Sequence, residues 1–247
     1  MEQLDIFSST LQETKPDEKK LQEIKQPKIV LEAQEPKSKL HTYLDQLVEK
    51  YKIPDFFTND PLRFPHRYKD PKDQEIMGFI AAMMAQGKRT SIVANLEKLE
   101  VLMDKNPYEF VANFDYSTQA ERFADFNHFA YKNIPGSDVV CIIYLLKQVI
   151  AKYGSLKKLF LEGLNPTKQK NVKEALIHFT ETIFNFEPPP DMNPIPGRIK
   201  SLLPNPNKGS ACKRLNMYLR WVVRKDNVDL GLWTEVPTSM LIIPLDF

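Results

Sequence analysis

Glycine is scarce in this chain, with 8 residues among 247, whereas proline is plentiful at 19. Neither G-x-G-x-x-G nor G-x-x-x-x-G-K-[ST] occurs anywhere in the sequence. These glycine-rich loops let a backbone approach phosphate groups closely, so a dinucleotide-binding fold or a P-loop has no support in the sequence.

Cysteine is also rare, and the two residues present, Cys141 and Cys212, offer no disulfide framework. Both lie in apolar runs with helical spacing, which favours buried small side chains in a reducing compartment. A four-cysteine iron–sulfur cluster is excluded by count. The four histidines have no zinc-ligand spacing with the cysteines: His41, His66, His128 and His178. We therefore expect no cofactor and no metal.

The formal net charge is only +2, so affinity for nucleic acid would have to come from a local basic patch. The first residues, MEQLDIF, do not form a signal peptide. The longest strongly apolar run, VVCIIYLL at 139–146, is too short to cross a bilayer. These features predict a soluble cytoplasmic protein without a membrane partner, associated with the nucleoid if it binds DNA.

The first 38 residues are rich in Lys, Glu, Gln and Pro, a composition that cannot bury enough apolar surface to offset its ordering entropy. We expect a disordered polar tail at 1–38 and an α-helical domain at 39–247. A partner-binding motif around Leu4–Phe7 is the less favoured alternative for the tail.

Helical periodicity dominates the rest of the chain, and no convincing period-two alternation occurs. A run at 73–86 is apolar nearly all round, which predicts a buried core helix ended by Gly87. Apolar residues at helical spacing predict further helices near 40–47, 90–103, 137–153 and 172–184. The chain should be mostly or wholly α-helical.

The segment Leu203–Ala211 reads as a tight Pro/Asn-rich turn that opens a helix. Such a turn could expose backbone N–H groups to a phosphate, and an ordinary Pro-Asn loop is the alternative. In the helix that follows, Lys213, Arg220 and Arg224 share one side, with Asn216 beside them. This stripe suits a DNA backbone, although a solvated helix face gives the same pattern.

These segments, followed by the apolar run and carboxylate of LIIPLD at 241–246, occur in an order that resembles the helix–hairpin–helix DNA glycosylase superfamily, which includes endonuclease III and 8-oxoguanine glycosylases. The superfamily pattern reads roughly L-P-G-h-G-x-K-x-A, then h-P-h-D-x-H. Upstream, residues 76–99 are similar to the first core segment of endonuclease III-like glycosylases. The motif GSACKRLNMYLRWVVRKD also resembles an uncharacterised bacterial family of this type.

The resemblance implies an all-α, helix–hairpin–helix glycosylase-like fold. It places Asp246 as the catalytic carboxylate that deprotonates the nucleophile or stabilises the cationic sugar, although a helix N-cap is the alternative. It places Gln86 in the DNA stack and the turn Asn205–Gly209 at a phosphate. The implied DNA-binding residues are Gln86, Lys88, Arg89, Asn205, Asn207, Lys208, Gly209, Arg220 and Arg224.

In bifunctional members of the superfamily a lysine occupies the position of Gly209. A glycine has no amine to attack the sugar, so we expect no Schiff base at the usual site. Lys213, taken to lie one helical turn further on the same side, is the alternative catalytic residue if the site has shifted.

The family pattern continues past the aspartate, whereas this sequence stops at Phe247. We therefore expect a chain that lacks the C-terminal helices. Apolar surface at 40–47 and 76–84 would then be exposed and promote self-association.

The predicted function is DNA base-excision repair by an N-glycosylase that flips a damaged base out of double-stranded DNA. A non-catalytic DNA-binding module of the same fold is the alternative, and a helical protein–protein scaffold is a weaker third.

Overall fold

The computed structural model describes residues 38–51, 59–128 and 133–244. The predicted disordered tail, apart from Ser38, and the predicted catalytic Asp246 lie outside the described residues. The chain divides into two compact units, 1–43 and 44–247, and only the start of the first helix is described in the first unit.

The described chain is mainly helical, as the periodicity predicts. The ten α-helices of the described segments are α1 Lys39–Tyr51, α2 Pro71–Met84, α3 Arg89–Leu102, α4 Pro107–Ala112, α5 Tyr116–Gln119, α6 Gly136–Tyr153, α7 Leu156–Glu162, α8 Lys173–Phe184, α9 Gly197–Leu202 and α10 Lys213–Val223. Five short 3-10 turns accompany them: Pro61–Arg63, Pro65–Arg67, Ala120–Phe123, Pro206–Lys208 and Thr238–Met240.

Two short strands, β1 Asn127–His128 and β2 Ile134–Pro135, form an antiparallel pair, with His128 opposite Ile134. Each strand has only two residues, which is too short for alternation to be visible in the sequence. The prediction of a mostly helical chain is confirmed, whereas a wholly helical one is not found.

Helix α2 lies at the centre of the core, and every residue from Glu75 to Met84 is buried. Its N-terminus is defined by Asp70, whose side chain accepts a hydrogen bond from Lys72 N at 2.8 Å, and by Pro71 at the first helical position. The helix ends at Met84, before the predicted Gly87. The expectation that 76–84 would be exposed is wrong for this structure, because other helices cover the segment.

The main partner of α2 is α10, whose aromatic side chains reach across the core. The rings of Phe79 and Tyr218 meet edge to face with centroids 5.3 Å apart. A Cβ on Gly78 would lie 3.6 Å from the Tyr218 ring, so a small residue here permits close packing. This packing holds α10 against the buried centre of the larger unit.

Helix α1 has the predicted apolar positions, and in contrast to α2 several of them are exposed, including Leu44 and Val48. No single helix in the described segments is long and apolar enough to cross a membrane, and only the bent pair α6 and α7 passes that test together, across a 70° break.

Candidate functional site

The turn at 205–209 forms as a 3-10 turn, but its backbone N–H groups are already used. Asn205 Oδ1 accepts from Asn207 N at 2.7 Å, Lys208 N donates to Asn205 O at 3.1 Å, and Gly209 N donates to Pro206 O at 3.1 Å. The expectation that these three N–H groups are available to a phosphate is therefore wrong. The exposed side chain of Lys208 remains available for such a contact.

Helix α10 begins at Lys213, four residues after Gly209. Gly209 and Cys212 both have left-handed backbone conformations, with φ of 78° and 48°, and these reverse the chain before the helix starts. The expectation that Gly209 and Lys213 share one side of a helix is wrong, because Gly209 precedes the helix. Lys213 instead occupies the first helical position.

The helix start shifts the available backbone donors downstream. The N–H groups of four residues donate no hydrogen bond within the described segments: Ser210, Ala211, Arg214 and Leu215. Four free N–H groups are expected at the start of any helix, and they favour an anion there.

One face of α10 lines a cavity of about 430 Å³. The opposite wall is Thr238 and the extended segment Leu241–Pro244. The residues that α10 contributes are Lys213, Asn216, Met217, Arg220 and Arg224. We call this the α10 cavity.

A second cavity of about 340 Å³ lies beside the turn, and we call it the hairpin cavity. Its lining residues are Lys173, Leu176, Pro206, Gly209, Ser210, Ala211, Cys212, Asn216 and Ile242. Asn216 and Ile242 border both cavities, so the two spaces adjoin at the first turn of α10.

The basic stripe on α10 is partly neutralised by carboxylates of its own chain. Arg220 Nη2 lies 3.2 Å from Asp229 Oδ1, and Arg224 Nε lies 3.5 Å from Asp229 Oδ2. Arg224 also donates to Asp226 Oδ2 at 3.0 Å. Burial raises the pKa of Asp229, and the two arginines oppose that rise. The alternative of a plainly solvated basic face is therefore too simple.

Asn216 is not on the solvent side, where the sequence pattern suggested it, but is 5% exposed. Its Nδ2 donates to Ala211 O at 3.1 Å and to Cys212 O at 3.2 Å. These bonds hold the backbone of the turn against the helix.

Gln86 lies in a different, smaller cavity of about 140 Å³. The other lining residues are Asn133, Ile134, Asp138, Arg198, Ser201, Leu202 and Arg214. Because Arg214 follows Lys213, the first turn of α10 borders both this space and the α10 cavity. Lys88 and Arg89 are exposed at the start of α3 and are not among the residues that line either space.

The backbone of Gln86 is held by a buried histidine that the sequence did not single out. His128 Nε2 lies 2.9 Å from Gln86 O, and Asn95 Nδ2 lies 2.8 Å from His128 Nδ1. A carbonyl oxygen can only accept, so Nε2 carries the proton and Nδ1 accepts from the amide. Burial lowers the pKa of His128, which keeps the ring neutral.

A buried ion pair also borders the Gln86 cavity. Arg198 Nε donates to both carboxylate oxygens of Asp138, at 2.8 and 3.0 Å. Burial raises the pKa of Asp138, and Arg198 opposes the rise. The two residues are 60 positions apart, so no local pattern in the sequence could have paired them.

Arg214 is a desolvated cation on the same cavity. Its guanidinium donates to Met83 O at 2.6 Å and to Ser201 O at 2.8 Å, and burial lowers its pKa. Among the described residues, no group of three or more His, Cys, Asp or Glu side chains could hold a metal ion.

Comparison with known protein families matches residues 60–247 to the family described as "Protein of unknown function (DUF2400)". No curated protein and no solved structure matches the chain. The matched range includes the α10 cavity, the hairpin cavity and the Gln86 cavity. Because the match extends over most of the sequence, this chain belongs to the DUF2400 family.

Proposed function

We propose that the protein is a DNA N-glycosylase with a helix–hairpin–helix glycosylase-like fold, acting on a damaged base flipped out of duplex DNA. One observation carries the proposal. Lys213, the first residue of α10, and Leu241–Pro244, the segment that leads to Asp246, line the same cavity. Two parts of the sequence that the resemblance linked by chemistry thus meet at one space.

Asp246 supplies the carboxylate in this proposal. It follows Pro244 by two residues, and two residues span at most about 7 Å, so its side chain is within reach of the α10 cavity. A carboxylate there stabilises the positive charge that develops on the sugar as the bond from C1′ to the base nitrogen breaks. The bonding electrons leave with the base, which takes up a proton.

Water completes the reaction by bonding to C1′ and giving a proton to the carboxylate. Lys213 borders the same cavity and can stabilise the departing base or a phosphate by its charge. Attack on C1′ by the Lys213 amine, with a Schiff base as the product, is the alternative reaction at this cavity.

DNA is held, in this proposal, by the free N–H groups at the start of α10, by Lys208, and by the outer faces of Arg220 and Arg224. The two arginine side chains are 45% and 41% exposed, so each retains N–H groups for a phosphate. Gln86 serves the duplex from the neighbouring cavity.

The test is base release from a panel of lesion-bearing duplexes by the chain and its Asp246→Asn and Lys213→Gln variants. We expect the Asp246→Asn variant to lose base release at least about a hundredfold, the scale of general acid–base catalysis. Lys200→Gln, a lysine on the neighbouring helix α9, is the matched control and should retain activity.

Borohydride trapping on the same duplexes separates the two reactions. Hydrolysis predicts no covalent adduct, whereas an adduct that disappears in Lys213→Gln makes the lysine the nucleophile. Salt-dependent DNA binding without base release from any lesion would favour the non-catalytic DNA-binding module instead.

A further inference from the structure

The carbonyl oxygen of Asn216 is a buried acceptor without a hydrogen-bond partner in the part of the chain that the structure describes. The side chain is 95% shielded from solvent, with 5% exposed. A buried polar atom without a partner destabilises a fold, so a native structure that contains one usually supplies a water or a ligand group.

The amide cannot turn round to remove this problem. Its Nδ2 donates to Ala211 O at 3.1 Å and to Cys212 O at 3.2 Å. Exchanging the two ends of the amide would place Oδ1 against both carbonyl oxygens, where no hydrogen lies between the atoms. Asn216 Oδ1 is therefore fixed as an acceptor that faces away from the turn.

The surroundings determine what can donate to it. Asn216 borders both the α10 cavity and the hairpin cavity, and its neighbours Met217 and Ile242 are apolar. Lys213 is three residues earlier on the same helix face, and the free N–H of Ala211 borders the hairpin cavity. A water can donate to Asn216 Oδ1 and accept from one of these groups, which is the usual pattern for an internal water.

We propose that Asn216 Oδ1 binds a water where the two cavities adjoin, and that this water is the one that attacks C1′ in the proposed hydrolysis. The inference rests on the proposed function and makes Asn216 a positioning residue. One hydrogen of the water is donated to Oδ1, which leaves a lone pair directed into the α10 cavity. The oxygen then bonds to C1′ after the bond to the base has broken, and the second hydrogen passes as a proton to the Asp246 carboxylate.

Crystal structures of the full chain and of its Asn216→Leu variant test the water directly. We expect an ordered water within hydrogen-bond distance of Asn216 Oδ1 in the parent and none there in the variant. A parent structure with no water at this atom overturns the proposal.

The reaction role is tested in mixtures of water and methanol, where the sugar ends as the free sugar or the methyl glycoside. If Asn216 orients water, Asn216→Leu should lower the preference for water over methanol by about tenfold, the scale of one hydrogen bond. Asn216→Asp keeps an acceptor oxygen and should recover most of that preference. A residue that only held the turn would lower the total rate and leave the ratio of products unchanged, and that result would overturn the role.

The two levels of the proposal fail in distinguishable ways. Absence of base release by the parent from every lesion would remove the proposed function, and with it the reaction role of Asn216. The crystal structures would still decide whether the atom binds water. Base release with an unchanged product ratio would leave the glycosylase intact and remove only the positioning role.

Discussion

Arg220 and Asp229 form an ion pair between a half-exposed guanidinium and a buried carboxylate, with Nη2 and Oδ1 3.2 Å apart and side chains 45% and 3% exposed. The same carboxylate lies 3.5 Å from Arg224 Nε. Asp229 thus fixes the spacing of two cations that border the α10 cavity, and it also reduces the positive charge that they present to a polyanion.

Removing that carboxylate should strengthen DNA binding. We expect Asp229→Asn to bind duplex DNA several-fold more tightly at low salt, with a steeper dependence on salt, because the two arginines then interact only with phosphates. Binding titrations from about 50 to 200 mM salt measure both quantities.

A matched variant shows whether the position or only the net charge matters. Asp104 pairs with Arg122 on another surface, at 2.7 and 3.0 Å, so Asp104→Asn makes the same charge change elsewhere. Equal tightening in both variants would mean that the α10 surface has no special place in binding. If Asp229→Asn melts early, Asp226→Asn offers the same test at a carboxylate that contacts Arg224 alone.

Glu75 should be important for stability rather than for chemistry. Its carboxylate accepts from Leu156 N at 3.0 Å, Lys157 N at 3.1 Å and Trp233 Nε1 at 2.9 Å. A glutamine in its place has one acceptor oxygen, so at least one of these buried N–H groups loses its partner or faces the amide NH₂ group. We expect Glu75→Gln to cost about 1–3 kcal/mol in urea unfolding.

The comparison for this loss is Glu174→Gln, at an exposed position in the first turn of α8. That variant should change stability by no more than about 0.5 kcal/mol. Similar values for the two variants would show that Glu75 does not connect α2, α7 and the segment of Trp233 in the way the distances indicate.

Local pattern in the sequence predicted the helices well, because an apolar face repeats within a single segment. The α2 run, for example, was identified as a core helix within two residues of its observed start and end. The missed contacts, His128 with Asn95 and Asp138 with Arg198, join residues far apart in the sequence, so no window of neighbouring residues contains their signal.

The turn before α10 illustrates a second limit. The sequence indicated a tight turn and a helix, but the helix start depends on two left-handed residues, Gly209 and Cys212. A glycine at such a position can be anticipated, whereas a cysteine with positive φ is uncommon and gives no warning. The error of four residues in the helix start moved Lys213 from a later turn to the first position.

Acid should weaken the fold through the arginine–glutamate cluster at α3. Hydrogen bonds from Arg67 and Arg63 lower the pKa of Glu97 from its usual 4.5 to about 2. A carboxyl group whose pKa is lower in the folded state stabilises the fold above its unfolded pKa, and this contribution is lost as the pH falls from about 4.5 to about 2. Because the Glu97 side chain is 41% exposed, we expect at most about 1 kcal/mol.

Urea unfolding of the parent and Glu97→Gln at several pH values isolates this contribution from the other carboxyl groups. The parent should be the more stable at pH 6, and the difference should vanish near pH 2. A difference that stays constant with pH would assign the effect of the substitution to packing instead of charge.

Two glycines with similar left-handed backbones should respond differently to substitution. Gly209 has φ of 78° and no atom within 4 Å of an added Cβ, whereas Gly231 has φ of 65° and an added Cβ would lie 2.5 Å from Lys225 Cβ. Gly209→Ala should therefore cost only the backbone strain, about 1–2 kcal/mol. Gly231→Ala adds a steric clash to that strain and should cost more.

The open space at Gly209 also permits a direct test of the turn as part of the site. Gly209→Lys restores a lysine where bifunctional superfamily members have one, at a stability cost near that of Gly209→Ala because its side chain enters free space. Since Gly209 borders the hairpin cavity rather than the α10 cavity, the new amine should not become a nucleophile. We expect no borohydride-trapped adduct with a lesion-bearing duplex beyond that of the parent. A new adduct would place the reacting sugar at the turn and move the proposed site from the α10 cavity to the hairpin cavity.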